Sequence, residues 1–259
     1  MTEFRCFIAA NWPVPEGITA GTTLRHRGVS SGAYDSFNLG ATVGDDLAAV
    51  KQNRRRFKSA CGLPAEPLWL KQVHGTTVVT HPARNPDSAA DAAVSAAPGT
   101  TCAVLTADCL PVLFVSRNGR EIGAAHAGWR GLAAGVLEAT VRSFSSDPAD
   151  LLAWLGPAIS QPAFEVGAEV RQEFVANDPA AEGCFVANPR GRWQADLYAL
   201  ARRRLSRAGV TRVSGGDFCT FGEPGRFFSY RRDRVTGRMA SLIWLSEFSP
   251  GSLVRKENK

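Results

Sequence analysis

Hydrophobic positions along the chain fall into short runs of two kinds. Runs of roughly 4–8 apolar residues bounded by turn residues read as strands, and apolar residues at a 3.6-residue period read as helices. Residues 4–9 predict an opening strand. Over 45–61 the pattern turns helical: Asp45 or Asp46 is placed to cap the helix, and Leu47, Val50, Arg54 and Phe57 share one face. Residues 67–72 and 76–81 read as short strands. The apolar runs 102–106, 110–116 and 121–126 follow as strands, and the turn at Arg117-Asn118-Gly119 makes the last two a hairpin. Residues 129–144 carry Leu132, Val136, Leu137, Thr140 and Val141 at helical spacing. A strand over 151–155 ends at Gly156-Pro157. Helices over 167–177 and 195–208, short strands over 210–213 and 226–230, and a closing strand over 239–245 complete the series. Residues 28–38 form a Gly/Ser-rich loop, and 83–98, rich in Ala, Pro, Asp and Ser, read as a surface loop and the best candidate for a mobile segment.

Strands and helices are interleaved, but hairpins dominate the middle of the chain. That predicts a mixed-sheet α+β or α/β domain, not a doubly wound parallel sheet. At 259 residues the chain can bury a substantial core. Its 44% hydrophobic and 21% charged residues exclude extensive disorder. No apolar run reaches the roughly 18 residues of a membrane helix. The start, Met1-Thr2-Glu3-Phe4-Arg5-Cys6, lacks the apolar core of a secretory signal, so a cytoplasmic protein is expected. The six cysteines form no C-x-x-C pair and read as free thiols in a reducing compartment.

The formal charge of +6 suits an anionic partner. The runs 54–56 and 202–204 lie in helix-like segments and read as solvated faces. Zinc-finger spacing and an aromatic RNA-binding signature are both missing, so a small molecule is expected as partner and a nucleic acid is not. The oligomeric state is open.

The chain has only four histidines, and two lie in short Gly-flanked segments: Lys71-Gln72-Val73-His74-Gly75 and His126-Ala127-Gly128-Trp129-Arg130-Gly131. Between them lies Thr106-Ala107-Asp108-Cys109. Taken singly, Cys109 reads as a small buried hydrophobe, His74 as a satisfied core or surface residue, and His126 as the cap of the next helix. Taken together, each sits at the end of a predicted strand, where sites are commonly built. Two imidazoles and a thiolate are the three protein ligands of a catalytic zinc with one open position, and they also suit copper. Zinc lowers the pKa of water to about 7. Asp108 reads either as a proton shuttle or as a turn residue and hydrogen-bond acceptor, and Arg130 either as an anion holder or as a surface charge. A self-contained four-copper oxidase is excluded, because His26 and His81 form no second recognisable group.

These three segments resemble the core motifs of the YfiH family, also called the laccase-domain or multicopper polyphenol oxidase family. The resemblance runs through Ser36-Phe37-Asn38-Leu39-Gly40, Val43-Gly44-Asp45-Asp46, Asn53-Arg54, Gly156-Pro157-Ala158-Ile159 and Phe164-Glu165-Val166. It continues in Phe228-Ser229-Tyr230-Arg231-Arg232-Asp233 and Thr236-Gly237-Arg238, covering essentially residues 1–259 as one domain. It implies a four-layer α/β/β/α fold with zinc, or copper in the same site, on His74, Cys109 and His126. It also implies phosphorolysis of adenosine, inosine, guanosine and methylthioadenosine, and deamination of adenosine. One bacterial branch implies instead a hydrolase that removes serine wrongly attached to a UDP-N-acetylmuramate peptidoglycan precursor, where Cys109 would serve as ligand or as nucleophile. For a purine nucleoside and phosphate, the substrate-binding candidates are Asn38, Arg54, Gln72, Arg130 and Arg231. Arg231 has a rival reading as an ion-pair partner of Asp233.

Overall fold

In a computed structural model, residues 6–81 and 89–245 are described. The long apolar runs become strands with no exposed position: β6 (Leu110–Ser116), β7 (Ile122–Ala127), β8 (Leu151–Leu155) and β13 (Met239–Leu245) are buried at every residue. A strand is apolar throughout, not alternating, when both faces of its sheet are covered. Two sheets and two helical layers supply that cover.

Strands β1 (Phe7–Ala9), β2 (Ile18–Thr23), β13 and β5 (Thr101–Thr106) form a four-stranded antiparallel sheet in the order β1-β2-β13-β5. The larger sheet runs β12-β8-β6-β7-β4-β3, with β3 (Val78–His81), β4 (Ala92–Ser95) and β12 (Arg212–Gly215). It is mixed: β12 pairs parallel with β8 and β3 parallel with β4, while the central pairs are antiparallel. Side chains alternate across a strand. On β6, Leu113 and Val115 point to the smaller sheet and meet Cys102, Val104 and Ile243. Val112 and Phe114 point the other way, into a core shared with α2 (Trp129–Ala134), α3 (Val136–Arg142), α4 (Ala168–Val175) and α5 (Leu197–Arg207). Helix α1 (Leu47–Cys61) covers the far face of the smaller sheet, with Phe57 against Ala103, Ala240, Leu242 and Trp244. The result is the expected mixed α/β fold in four layers. A three-stranded ribbon, β9 (Glu165–Val166), β10 (Phe185–Ala187) and β11 (Trp193–Ala195), lies at the helical side.

Several expectations are corrected. The helix expected over 129–144 is two, broken at Gly135, whose φ of 101° is a left-handed conformation that stops α2. At that break the carbonyl of Leu132 accepts from Gly135 N and also from Arg204. The face of α1 is built from Val50, Asn53 and Phe57, with Leu47 exposed, and Asp46 is the cap, accepting from Ala48 N at 2.9 Å. Residues 67–72 form only a bridge from Lys71 to Ala89, and of the strand expected over 226–230, residues 226–229 are irregular and Tyr230 opens the single turn α6 (Tyr230–Asp233). Part of the expected surface loop is the buried strand β4, while residues 83–88 lie outside the described residues, as do residues 4 and 5 of the opening strand. Strand β2 has no apolar run to announce it. Its Thr22 and Thr23 are buried because their hydroxyls bond Ser241 Oγ (2.6 Å) and Ala240 N (2.9 Å). Nor are residues 202–204 a solvated face: Arg202 donates to the carbonyls of Val213 and Gly215, Arg203 grips Asp178, and Arg204 pairs with Glu138. Among the described residues no helix is long and apolar enough to cross a membrane.

Phe114 is fully buried and its ring centroid lies 6.0 Å from that of Phe144, so Phe114→Ala removes contacts the helical layer cannot refill. A loss of about 3–5 kcal/mol is expected in urea unfolding, and a change under 1 kcal/mol would show that this layer does not carry the core.

Candidate metal centre

The site is built outward from one buried acid. Asp91 directly precedes β4, and the β4–β7 register sets it opposite His126, whose backbone N donates to the Asp91 carbonyl at 2.7 Å. The Asp91 carboxylate is fully buried and takes four partners. Oδ1 accepts from His126 Nδ1 at 2.8 Å and from His74 N at 2.9 Å, and Oδ2 accepts from Val73 N at 3.1 Å and Gly75 N at 2.7 Å. Burial works against its charge, but His126 and these amides outweigh burial and hold the carboxyl below its ordinary range.

Two consequences follow. An ionised carboxylate only accepts, so His126 keeps a proton on Nδ1 and leaves Nε2 as the nitrogen that a metal would take once its proton is lost. The 73–75 backbone wraps the carboxylate, with His74 at φ 61°, and this turns the His74 ring against His126, centroids 4.8 Å apart at 75°.

Cys109 arrives from a different direction. It lies at the corner where the chain leaves β5 in the smaller sheet and enters β6 in the larger one. Its Sγ is 3.8 Å from His74 Nε2, and the donor atoms of His74, Cys109 and His126 all lie within 4.8 Å of one another. Gly128 makes the approach possible. A Cβ there would stand 2.8 Å from His74 Cδ2 and 3.0 Å from Cys109 Sγ. Exposure grades from His126 (buried) through Cys109 (half-buried) to His74 (exposed), so the open side faces solvent.

Burial opposes ionisation of Cys109, but His126 and His74 outweigh it and push the thiol below its ordinary range. Burial likewise opposes the charge on His126, and Cys109 with Asp91 pushes its pKa up. In contrast, burial pushes Cys6 and Cys102 up to about 12 and Cys61 up to about 11. A thiolate and two oriented imidazoles fit a zinc or copper ion, with a position left for an exogenous ligand. Among the described residues no second such group of His, Cys, Asp and Glu donors gathers.

The centre opens into a cleft of about 660 Å³, which Arg54, Trp69, Lys71, Gln72, Tyr230 and Arg238 also line. Arg54 and Gln72 are thus brought to the site, although the Gln72 amide is engaged with Leu105, donating to its O at 2.9 Å and accepting from its N at 2.7 Å. Asn38 is fully buried behind the wall. Its Oδ1 accepts from Gly40 N and Arg238 N, and its Nδ2 donates to Gly40 O and Asp45 Oδ2. Both oxygens of Asp108 accept, from Thr220 Oγ1 and from Arg231 N, each at 2.6 Å, which is the turn-and-acceptor arrangement at φ 90°. Arg130 and Arg231 do not line the cleft. Arg130 lies over the Trp129 ring on the helical side. Arg231 donates to Glu165 O at 3.0 Å, while Arg232 takes Asp233.

Sequence reasoning passed over Asp91, Trp69, Lys71 and Arg238. The signal for Asp91 was a lone acid at the head of the apolar run Ala92-Ala93-Val94, hidden by the Ala/Pro/Ser-rich residues before it.

A mixed α/β fold of two stacked sheets, with a His-Cys-His cluster at one rim, defines the class. The chain belongs to the multi-copper polyphenol oxidoreductase laccase family, whose model matches residues 19–246. It is 54% identical over 239 residues to "Purine nucleoside phosphorylase YfiH" of Escherichia coli K12, covering 92% of this chain and 98% of that protein. It is 49% identical over 239 residues to a purine nucleoside phosphorylase of Haemophilus influenzae, covering 92% and 98%. The crystal structure of the Neisseria meningitidis protein NMB0706 superposes with a TM-score of 0.90 at 49% identity, covering 93% of this chain and 100% of that one. YlmD from Geobacillus stearothermophilus superposes at 0.87 with 31% identity, covering 95% and 98%.

Two outcomes are expected of this geometry. Asp91→Asn removes the charge that fixes His126 and the 73–75 backbone, and zinc affinity, read by competition with a chromophoric chelator, falls about 10- to 100-fold. Unchanged affinity would sink the positioning role. In chelator-treated protein the lowered Cys109 thiol is ionised at neutral pH, where the raised Cys61 thiol is not. Iodoacetamide at pH 7 therefore labels Cys109 ahead of half-buried Cys61, as followed by peptide mass spectrometry. The reverse order would contradict the electrostatics described.

Proposed function

We propose that this chain is a zinc-dependent purine nucleoside phosphorylase that also deaminates adenosine at the same centre, working in a reducing, cytoplasmic setting. One observation carries the reading. Three oriented donors meet within 4.8 Å at the wall of a 660 Å³ cleft, in a chain 54% identical along nearly its whole length to a protein named purine nucleoside phosphorylase.

His74, Cys109 and His126 hold the metal, which when bound supplies Lewis acidity and makes water acidic near neutral pH. The chain's own residues do the rest. Asp91 keeps His126 in one tautomer and pins the backbone of His74. Asp108, through Thr220 and Arg231 N, ties the Cys109 corner to the segment that carries Tyr230 to the cleft. Trp69 and Tyr230 give aromatic walls for a purine, and a cleft of this size falls in the range of small-molecule sites. In phosphorolysis a phosphate oxygen replaces the purine nitrogen at C1′ of the ribose, giving the free base and ribose 1-phosphate. In deamination, water replaces the 6-amino group and ammonia leaves. The free state of all six cysteines suits a site that depends on a thiolate.

Zinc-loaded protein is expected to release hypoxanthine from inosine only with phosphate present, and to form inosine from adenosine without it, both read by liquid chromatography. Chelation should abolish both reactions and added zinc restore them. Base release equal with and without phosphate, or no conversion of any purine nucleoside, would refute the assignment.

A further inference from the structure

Three sequence blocks that the metal centre does not use converge behind the cleft: 36–40, 53–54 and 236–238. Asn53 is fully buried on α1, and its amide donates to the carbonyls of Ser36 and Asn38 and to Ser30 Oγ. That bonding fixes the segment Asn38-Leu39-Gly40, and two arginines are set against it. Arg54 directs both Nε and Nη2 at Leu39 O, at 3.0 and 2.8 Å, and stacks its guanidinium 4.0 Å from the Trp69 ring centroid. Arg238 pairs its backbone with the same segment, its N donating to Asn38 Oδ1 and its O accepting from Leu39 N. Its stem lies on Gly40, where a Cβ would come within 2.8 Å of Arg238 Cγ. Both side chains line the metal cleft.

The bonding leaves defined edges free. Arg238 donates through Nη1 to the carbonyls of Thr236 (2.9 Å) and Gly237 (3.0 Å), and its Nε–Nη2 edge has no partner among the described residues. Arg54 keeps Nη1 without a partner there. Neither arginine forms an ion pair among the described residues, although Arg203, Arg204, Arg226 and Arg232 all do. The Asp108 carboxylate is already taken by Thr220 and Arg231. A half-buried guanidinium held rigidly by carbonyls, without a carboxylate, is a cation awaiting an anion. The Nε–Nη2 edge presents two parallel N–H groups that match two oxygens of a phosphate.

We propose that Arg238, supported by Arg54, forms an oxyanion subsite of the metal cleft that binds inorganic phosphate through the free Nε–Nη2 edge of Arg238. The choice of inorganic phosphate over the phosphate of a nucleotide rests on the phosphorylase reading above. The subsite itself rests on the two arginines.

The test uses zinc-loaded full-length protein as wild type, R238Q and R238K, with bound zinc and near-ultraviolet circular dichroism as controls for folding. Calorimetric titration with inorganic phosphate and with uridine diphosphate is run beside the phosphate dependence of inosine cleavage. Wild type is expected to bind inorganic phosphate, and R238Q to weaken that binding and raise the phosphate KM by about 10- to 100-fold, while the inosine KM moves far less. R238K keeps the charge but loses the fork, so it should fall between. If R238Q does not fold, R238K decides: a phosphate KM equal to wild type overturns the subsite, and a rise of several-fold supports it. Arg238-dependent binding of uridine diphosphate without binding of inorganic phosphate overturns the proposal. Phosphorolysis with an unaltered phosphate KM in R238Q overturns the subsite and leaves the phosphorylase standing. Arg238-dependent phosphate binding by a protein that cleaves no nucleoside supports the subsite and sinks the phosphorylase.

Discussion

The carboxylate of Asp91 is the constraint on which the rest of the site depends. It has no access to water and is stabilised only by the groups that surround it, namely three consecutive amides and one imidazole. A buried charge of this kind tolerates no half-formed shell, because each missing donor costs far more than an ordinary hydrogen bond contributes. The loop that carries His74 and the strand that carries His126 therefore share one condition for being in place. Residues 35 positions apart in sequence, Asp91 and His126, are joined by the strand ladder itself, since the register of β4 on β7 sets them opposite each other.

The layered fold explains why the third donor arrives where it does. Cys109 stands on the short passage from β5 in one sheet to β6 in the other, and Asp108 braces that corner from the far side through Thr220 and Arg231. The centre thus draws on an antiparallel ladder, a sheet-to-sheet corner and a clamped loop. Each is rigid for a different physical reason, which is how a site keeps its geometry without being buried.

Much of this was legible in the chain. The uninterrupted apolar runs at 110–116, 151–155 and 239–245 became strands covered on both faces, and the His-Cys-His donors did gather, although the strand expected before His74 is only a bridge at Lys71. What escaped was held by polar bonding, which leaves no periodicity. Strand β2 is kept by threonine hydroxyls, and β4 is a four-residue strand behind a stretch that reads as loop. Arginines were the hardest to place. Arg231 and Arg238 differ nothing in residue type, yet one guanidinium donates to the carbonyl of Glu165 away from the cleft and the other lines the cleft with its Nε–Nη2 edge unpartnered among the described residues. Only the path of the backbone around Asn38 and Gly40 separates them.

Gly128 has a further consequence. Because a single added carbon would meet both the His74 ring and the Cys109 sulfur, it is the bare main chain at this position that lets the two donors stand side by side. Position 128 therefore admits nothing larger than hydrogen while these two donors stay in place.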